Sequence, residues 1–203
     1  MADSNRTMAQ TLDPSAIDQL FRTARSHNKW QDRPVEPSQL HALYDLMKWG
    51  PTSANTFPLR VVFVTSAAGK ARLIPLVFEG NRSKVQTAPV TAILAYDLRF
   101  ADWLPRLFPH KDMRPFFVDK PALIEATAFR NSSLQGGYLM LAARALGLDC
   151  GPMSGFDSEA VDKAFFPEGD VKSNFICALG HGDPTGLYPR SPRPEFDDVC
   201  RVA

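Results

Sequence analysis

Cysteine is the first thing this chain has little of. Cys150, Cys177 and Cys200 are odd in number, widely spaced and form no C-x-x-C. A disulfide framework, a redox pair and a thiolate zinc site are thereby excluded, and buried or incidental thiols in a reducing cytoplasm are expected. Histidine is equally thin. His27, His41, His110 and His181 lie far apart, with no H-x-x-x-H pair and no evident carboxylate partner, so no metal is expected and each reads as a surface or capping residue. An excess of charge is missing too. With 23 basic against 22 acidic side chains the net charge is +1, which offers nothing to nucleic acid or to an anionic membrane surface. No apolar run approaches the ~18 residues of a membrane span, and the opening MADSNRTMAQTLDPS lacks the apolar core of a secretory signal.

Two catalytic signatures are absent as well. A hydrolase elbow needs G-x-S-x-G on a strand-to-helix turn, but Gly151-Pro152-Met153-Ser154-Gly155 sets its serine one position late. The stretch GHGDPTG at 180–186 contains G-x-G, yet Pro184 interrupts it and no βαβ unit follows, so a plain turn is expected there. No acid/base pair with distinctive spacing stands out.

What is present is a foldable core. At 203 residues, 44% of them apolar and 22% charged, the chain can bury a core of its own as a single domain, with residues 1–12 as a flexible tail. Asp13-Pro14 reads as a helix cap followed by a first-turn proline, and Ile17, Leu20, Phe21 and Ala24 follow helical spacing. A second helix runs from Pro37 to Gly50, with Leu40, Leu43, Tyr44 and Met47 on one face. Residues 60–65 read as a buried strand, 70–78 as a short helix and 90–96 as a second buried strand. Residues 98–120 hold Phe100, Trp103, Phe108, Phe116 and Phe117 among prolines, with no clean period. The longest helix spans 121–146 and is capped by Gly147. Its adjacent Gly136 and Gly137 point to close approach by a helix or a ligand, because glycine inside a helix costs about 0.5–1 kcal/mol against alanine. So little of this helix is polar that it belongs at the centre of the domain or against a second subunit. A helix near 158–165 and a strand from Asn174 complete the pattern. The order α-α-β-α-β-α-α-β has too few strands for a doubly wound sheet and predicts an α+β fold, a small sheet with helices around it.

Four polar stretches remain. In WGPTSANTFPLR (49–60), Thr52, Ser53, Asn55 and Thr56 stand between Pro51 and Pro58, more hydroxyl and amide than a helix-to-strand connection requires. In ARSHN, Arg25 adjoins Ser26 and Asn28 at a helix end, and a guanidinium beside a hydroxyl and an amide suits a phosphate monoester. PRSPR adds Arg190 and Arg193 on a proline-stiffened segment, and GPMSGF occupies 151–156. Taken in order, these stretches resemble the nitroreductase family of FMN-dependent oxidoreductases. RSHNKW matches the family's R-S-x-R-x-F-type segment at Arg25 and Ser26, with Asn28 in place of a basic residue and Trp30 in the aromatic place. PTSANTFPLR matches P-S-S-x-N-x-Q-P-W at Pro51, Ser53, Asn55 and Pro58. GPMSGF matches the proline-and-glycine loop after the long helix, with Ser154 where the family often has glutamate. The phrases LMKWGPTSAN, FRNSSLQG, ALGLDCGPMSGFD and LFPHKD are similar to the RutE-type branch, malonic semialdehyde reductases of pyrimidine degradation.

The resemblance implies a nitroreductase-like α-β-α sandwich over 1–203 and a homodimer with the long helix at its interface. FMN would lie in each of two interface clefts. Its implied contacts are Arg25, Ser26, Asn28, Pro51, Thr52, Ser53, Asn55, Pro152, Met153, Ser154, Gly155, Arg190 and Arg193, with the Thr52–Asn55 loop coming largely from the subunit opposite the one supplying Arg25. NADH or NADPH would pass hydride to flavin N5, and a small-molecule acceptor would follow in a ping-pong cycle. The implied acceptor is malonic semialdehyde, reduced to 3-hydroxypropionate, or alternatively a nitro compound, quinone or enone. A flavin-binding protein without turnover is the alternative from another class. From composition alone, Phe116 and Phe117 are the expected acceptor wall.

Overall fold

A computed structural model describes residues 10–203; residues 1–9, most of the expected tail, lie outside the described residues. The Asp13 carboxylate accepts from the Ser15 amide at 2.8 Å and starts α1 (Pro14–Ile17), which widens into a π-turn over Asp18–Arg22. Then comes α2 (Pro37–Met47), which buries Leu43 and Met47 and leaves Tyr44 exposed. The chain continues through β1 (Leu59–Val64), α3 (Ala67–Leu73), α4 (Glu79–Thr87) and β2 (Val90–Asp97). A stretch of tight turns containing the short α5 (Leu104–Leu107) leads into α6 (Pro121–Ala145), and Gly147 closes that helix with φ of 73°. After it come β3 (Asp149–Met153), α7 (Ser158–Phe165), β4 (Val171–Gly180) and α8 (Phe196–Val199).

The four strands form one antiparallel sheet in the order β1-β2-β4-β3. Every residue of β2 is buried, and its side chains alternate between two cores as a period of two requires. Ile93 and Ala95 face the core that holds Leu73, Val85 and Val161 of α3, α4 and α7. Val90, Ala92 and Leu94 face the core that holds Leu43, Met47 and Leu139 of α2 and α6. Helices therefore cover both faces, and the α+β sandwich is observed. Each fully buried Leu or Ile on this strand contributes roughly 1.5–3 kcal/mol.

Several sequence expectations need correction. The sheet has four strands, not three, because DCGPM pairs with β4 where a loop was expected; Pro152 is tolerated since β3 is an edge strand. The helix expected at 70–78 begins earlier and ends at Leu73 in a 3-10 turn, and α4 had no counterpart in the reading. The strand expected to be buried at 60–65 is an edge, with only Leu59 and Val64 buried. Gly136 does meet a close neighbour, since a Cβ there would lie 2.6 Å from Phe175, whereas Gly137 has open space. His27 is buried and faces the Asp149 carboxylate at 3.4 Å, so it is neither a surface residue nor without a carboxylate neighbour.

Candidate active site

RSHNKW runs along the outer side of β3. Ser26 bridges Cys150, the His27 amide donates to the Cys150 carbonyl at 2.9 Å, and the Gln31 amide donates to the His181 carbonyl at 2.8 Å. Gly151 lies against this segment. A Cβ there would stand 2.5 Å from the His27 carbonyl, 3.1 Å from the Trp30 ring and 3.2 Å from the Lys84 stem. Only glycine lets these three groups converge.

Lys84 is the residue that sequence reasoning missed. It is 8% exposed, and none of the ion pairs among the described residues includes it. Burial lowers its pKa from the ordinary lysine value. One turn earlier on α4, Asn81 donates from Nδ2 to the Gly155 carbonyl at 3.3 Å, and the Phe78 amide donates to the same carbonyl at 3.0 Å. Phe78 itself is 60% exposed. Lys84, Asn81 and Phe78 thus border the 151–155 stretch from α4. The only signal in the sequence was N-x-x-K in a segment with almost no apolar period.

The phosphate-side expectation is brought together in part. Arg25 donates to the Tyr188 carbonyl, while Arg190 donates to the carbonyls of Arg22 and Ala24 at 3.0 and 2.9 Å. Two guanidinium groups with carbonyl partners are clipped together here, beside exposed Ser26 and half-buried Asn28. Among the described residues Arg193 bonds only the nearby carbonyls of Ser191 and Pro192. In the third stretch Pro152 is half-buried, Ser154 is exposed and Met153 is buried in the core with Ile93 and Ile176. Cys150 and Cys177 are buried free thiols, and the neighbouring Cys150 together with burial pushes the Cys177 thiol up, which makes it inert.

The loop between Pro51 and Pro58 lies elsewhere. It precedes β1, the sheet edge opposite β3, and three strand spacings of ~4.8 Å put about 14 Å between those edges. Within it the Ser53 amide donates to Asn131 Oδ1 at 2.8 Å, and Asn55 Nδ2 donates to the Leu107 carbonyl at 2.7 Å. Pro51 is exposed, and Thr52 Oγ1 accepts from the Phe57 amide at 3.3 Å. Phe117 is 4% exposed and packs edge-on against Phe100 at 4.9 Å, so it is core and not an acceptor wall; Phe116 is 52% exposed. A largely apolar groove of about 860 Å³ runs beside β1, lined by Tyr44, Phe57, Val61, Phe63 and Trp103 with Arg60 and Arg106. One chain therefore brings Arg25, Arg190, Lys84 and 151–155 to one edge, and Thr52, Ser53 and Asn55 to the other.

The nitroreductase family model matches residues 21–181. A Burkholderia lata protein named for NADH dehydrogenase and NAD(P)H nitroreductase activity is 61% identical over 95% of this chain and 98% of its own. Among solved structures, a protein of Exiguobacterium sibiricum crystallised in complex with FMN superposes with a TM-score of 0.83 at 22% identity, covering 97% of this chain and all of that one. An enone reductase of gut-bacterial fatty acid saturation superposes with a TM-score of 0.82 at 17% identity, over 95% of this chain and 99% of that one. These two likenesses are of fold. The chain belongs to the nitroreductase family, the FMN-dependent NAD(P)H oxidoreductases that its four polar stretches resemble.

Proposed function

We propose that two copies of this chain, each a single FMN-binding domain, build two FMN sites between them and reduce a small-molecule acceptor at the expense of NADH or NADPH. The observation that carries the reading is Lys84, a buried cation without an acidic partner among the described residues, beside the backbone cradle at Gly151. That arrangement suits a flat ligand with an electron-rich edge. Arg25, Ser26, Asn28 and Arg190 would hold the phosphate, with Arg193 a weaker candidate. Lys84, Asn81 and the backbone of Pro152, Met153, Ser154 and Gly155 would hold the ring. Thr52, Ser53 and Asn55, with Pro51, would come from the second copy, because one chain holds them at the far sheet edge. FMN, when bound, supplies a carrier that accepts two electrons from a nicotinamide and returns them to an acceptor. Lys84 supplies a fixed positive charge where negative charge develops, in a site that excludes water. Trp30 keeps water from its stem, and exposed Phe78 and Phe116 offer apolar surface to an acceptor.

The proposed acceptor is malonic semialdehyde, reduced to 3-hydroxypropionate in pyrimidine degradation in the cytoplasm. The three free cysteines agree with a reducing compartment. A second reading, reduction of a quinone, nitro compound or enone, is favoured by one observation. The side chains bordering 151–155 are a lysine, an amide and an aromatic ring, and these acceptors need no carboxylic acid or imidazole placed beside a carbonyl. The test is anaerobic titration of the purified protein with NADH and with NADPH, followed by an acceptor panel that includes malonic semialdehyde. Flavin bleaching by a nicotinamide and its reoxidation by one acceptor class are expected. Protein that neither carries FMN nor takes it up overturns the proposal, and bound flavin that no nicotinamide bleaches leaves a binding protein without turnover.

A further inference from the structure

We infer that Asn131 and Gln135 of α6 are positioning residues that hold the loop between Pro51 and Pro58 in the shape it needs at the cofactor. The inference rests on the reading of that loop as a wall of the FMN site. Ala54, Asn55 and Phe57 have φ of 47°, 51° and 45°, so three non-glycine residues in four adopt the left-handed region. At Ala54 and Phe57 this costs on the order of 1–2 kcal/mol each, whereas asparagine enters the region more readily. Such strain persists only where the surroundings over-determine it.

The helix supplies that constraint. Asn131 Oδ1 accepts from the Ser53 amide at 2.8 Å while its Nδ2 donates to the Thr127 carbonyl at 2.8 Å, so the orientation of its amide is set. Gln135 Oε1 accepts from the Leu59 amide at 3.0 Å. Four residues apart, the two side chains share one helix face, and they are 2% and 0% exposed. They grip the chain on either side of the left-handed run, at Ser53 and at Leu59. A buried amide is unfavourable unless it is bonded, and Gln135 Nε2 has no partner among the described residues. Apolar side chains at these two positions would remove the unpaired Nε2 but would leave the Ser53 and Leu59 amides without their acceptors. What the amides add is a fixed path for the loop. Ser53 and Asn55, which the functional reading assigns to the cofactor, lie on that path.

The test uses the full-length protein and Asn131→Ala, Asn131→Asp and Gln135→Leu, the first also combined with Ala54→Gly. Loss of the Asn131 tether should raise the FMN Kd about tenfold, the fold-change that one lost buried hydrogen bond carries. It should also shift the flavin visible spectrum and slow bleaching by NADH at saturating FMN. Asn131→Asp keeps the acceptor for Ser53 but loses the donor to the Thr127 carbonyl, so it should recover part of the FMN affinity that Asn131→Ala loses. Ala54→Gly should recover part of the lost affinity, because glycine takes a φ near +50° without steric strain. Gln135→Leu leaves the Leu59 amide without its acceptor, so it should weaken FMN while lowering the melting temperature by no more than a few degrees. Unchanged FMN affinity, spectrum and bleaching in a folded Asn131→Ala protein overturns the inference. So does a loss that follows melting temperature alone, or one that neither an aspartate acceptor at this position nor Ala54→Gly mends. Wild-type protein that takes up no FMN overturns the functional reading itself, which separates the two failures.

Discussion

Lys84 is held away from water by the Trp30 ring and the turn of α4, with no acidic group in reach among the described residues. Its charge is a liability in the apo protein and an asset once an anionic edge arrives. Two outcomes follow for Lys84→Met. FMN affinity should fall by about 10- to 100-fold, the range for a hydrogen bond to a charged group, read by flavin fluorescence titration. The stability of the apo protein should move the other way. Burial lowers the Lys84 pKa, so the unfolded chain binds this proton more tightly than the folded one. Unfolding free energy then rises with pH from the folded pKa up to the unfolded value near 10.4. The variant should be more resistant to urea than wild type at pH 7, with the gap closing toward pH 10. A gap that stays constant across that range means a solvated ammonium. At this scale the proposed phosphate end has a signal in the sequence, because Arg25 and Ser26 are neighbours in the chain. Lys84 was not, because its significance appears only where β3 brings Gly151 against it. Phe117 misled for the related reason that composition does not distinguish a wall from a core.

Elements were legible where their period was strong. The helix over α6 and the buried strand β2 carry long apolar patterns, and both were read to within two residues. By contrast, α4 has one buried apolar side chain, Val85, and so no apolar face to read. Likewise β3 contains glycine and proline in succession, which in a short stretch signal a turn more strongly than an edge strand. The adjacent glycines of α6 allow a direct comparison. At Gly136 a methyl group would stand 2.6 Å from the Phe175 ring and 3.0 Å from Leu94. Overpacking of this kind costs about 1–3 kcal/mol, more than the gain of roughly 1 kcal/mol in helix propensity. Gly136→Ala should therefore lower the melting temperature by several degrees, at about 2–4 °C per kcal/mol for a chain of this size. Gly137→Ala meets no atom within 4 Å of its own chain. A loss of stability there would report a second copy, since Gly137 shares its helix face with exposed Leu134.

At the scale of the whole molecule, the candidate site is split across the sheet. Arg25, Arg190 and Lys84 gather beside β3, whereas Thr52, Ser53 and Asn55 lie in the loop that leads into β1 and rests on Asn131 of α6. The strands that these two groups adjoin, β1 and β3, are about 14 Å apart, with β2 and β4 between them. The β1 side also carries a strand edge that is unpaired among the described residues, the apolar groove and the exposed rings of Tyr44 and Trp103. Open edges with apolar flanks are surfaces that proteins cover, and a second copy would cover this one while delivering its loop to the first. Mixed dimers test the arrangement. One tagged chain carries Arg25→Ala with Lys84→Ala, and a differently tagged chain carries Thr52→Ala with Asn55→Ala. Each homodimer places a lesion in both of its sites and should retain little FMN. If every site draws its phosphate side from one chain and its loop from the other, the mixed dimer has one site with all lesions and one with none. Doubly affinity-purified mixed dimers should then bind about half the wild-type complement of FMN, and NAD(P)H should bleach it at the wild-type rate per bound flavin. If each site were built within a single chain, both sites of the mixed dimer would be damaged and no recovery would appear.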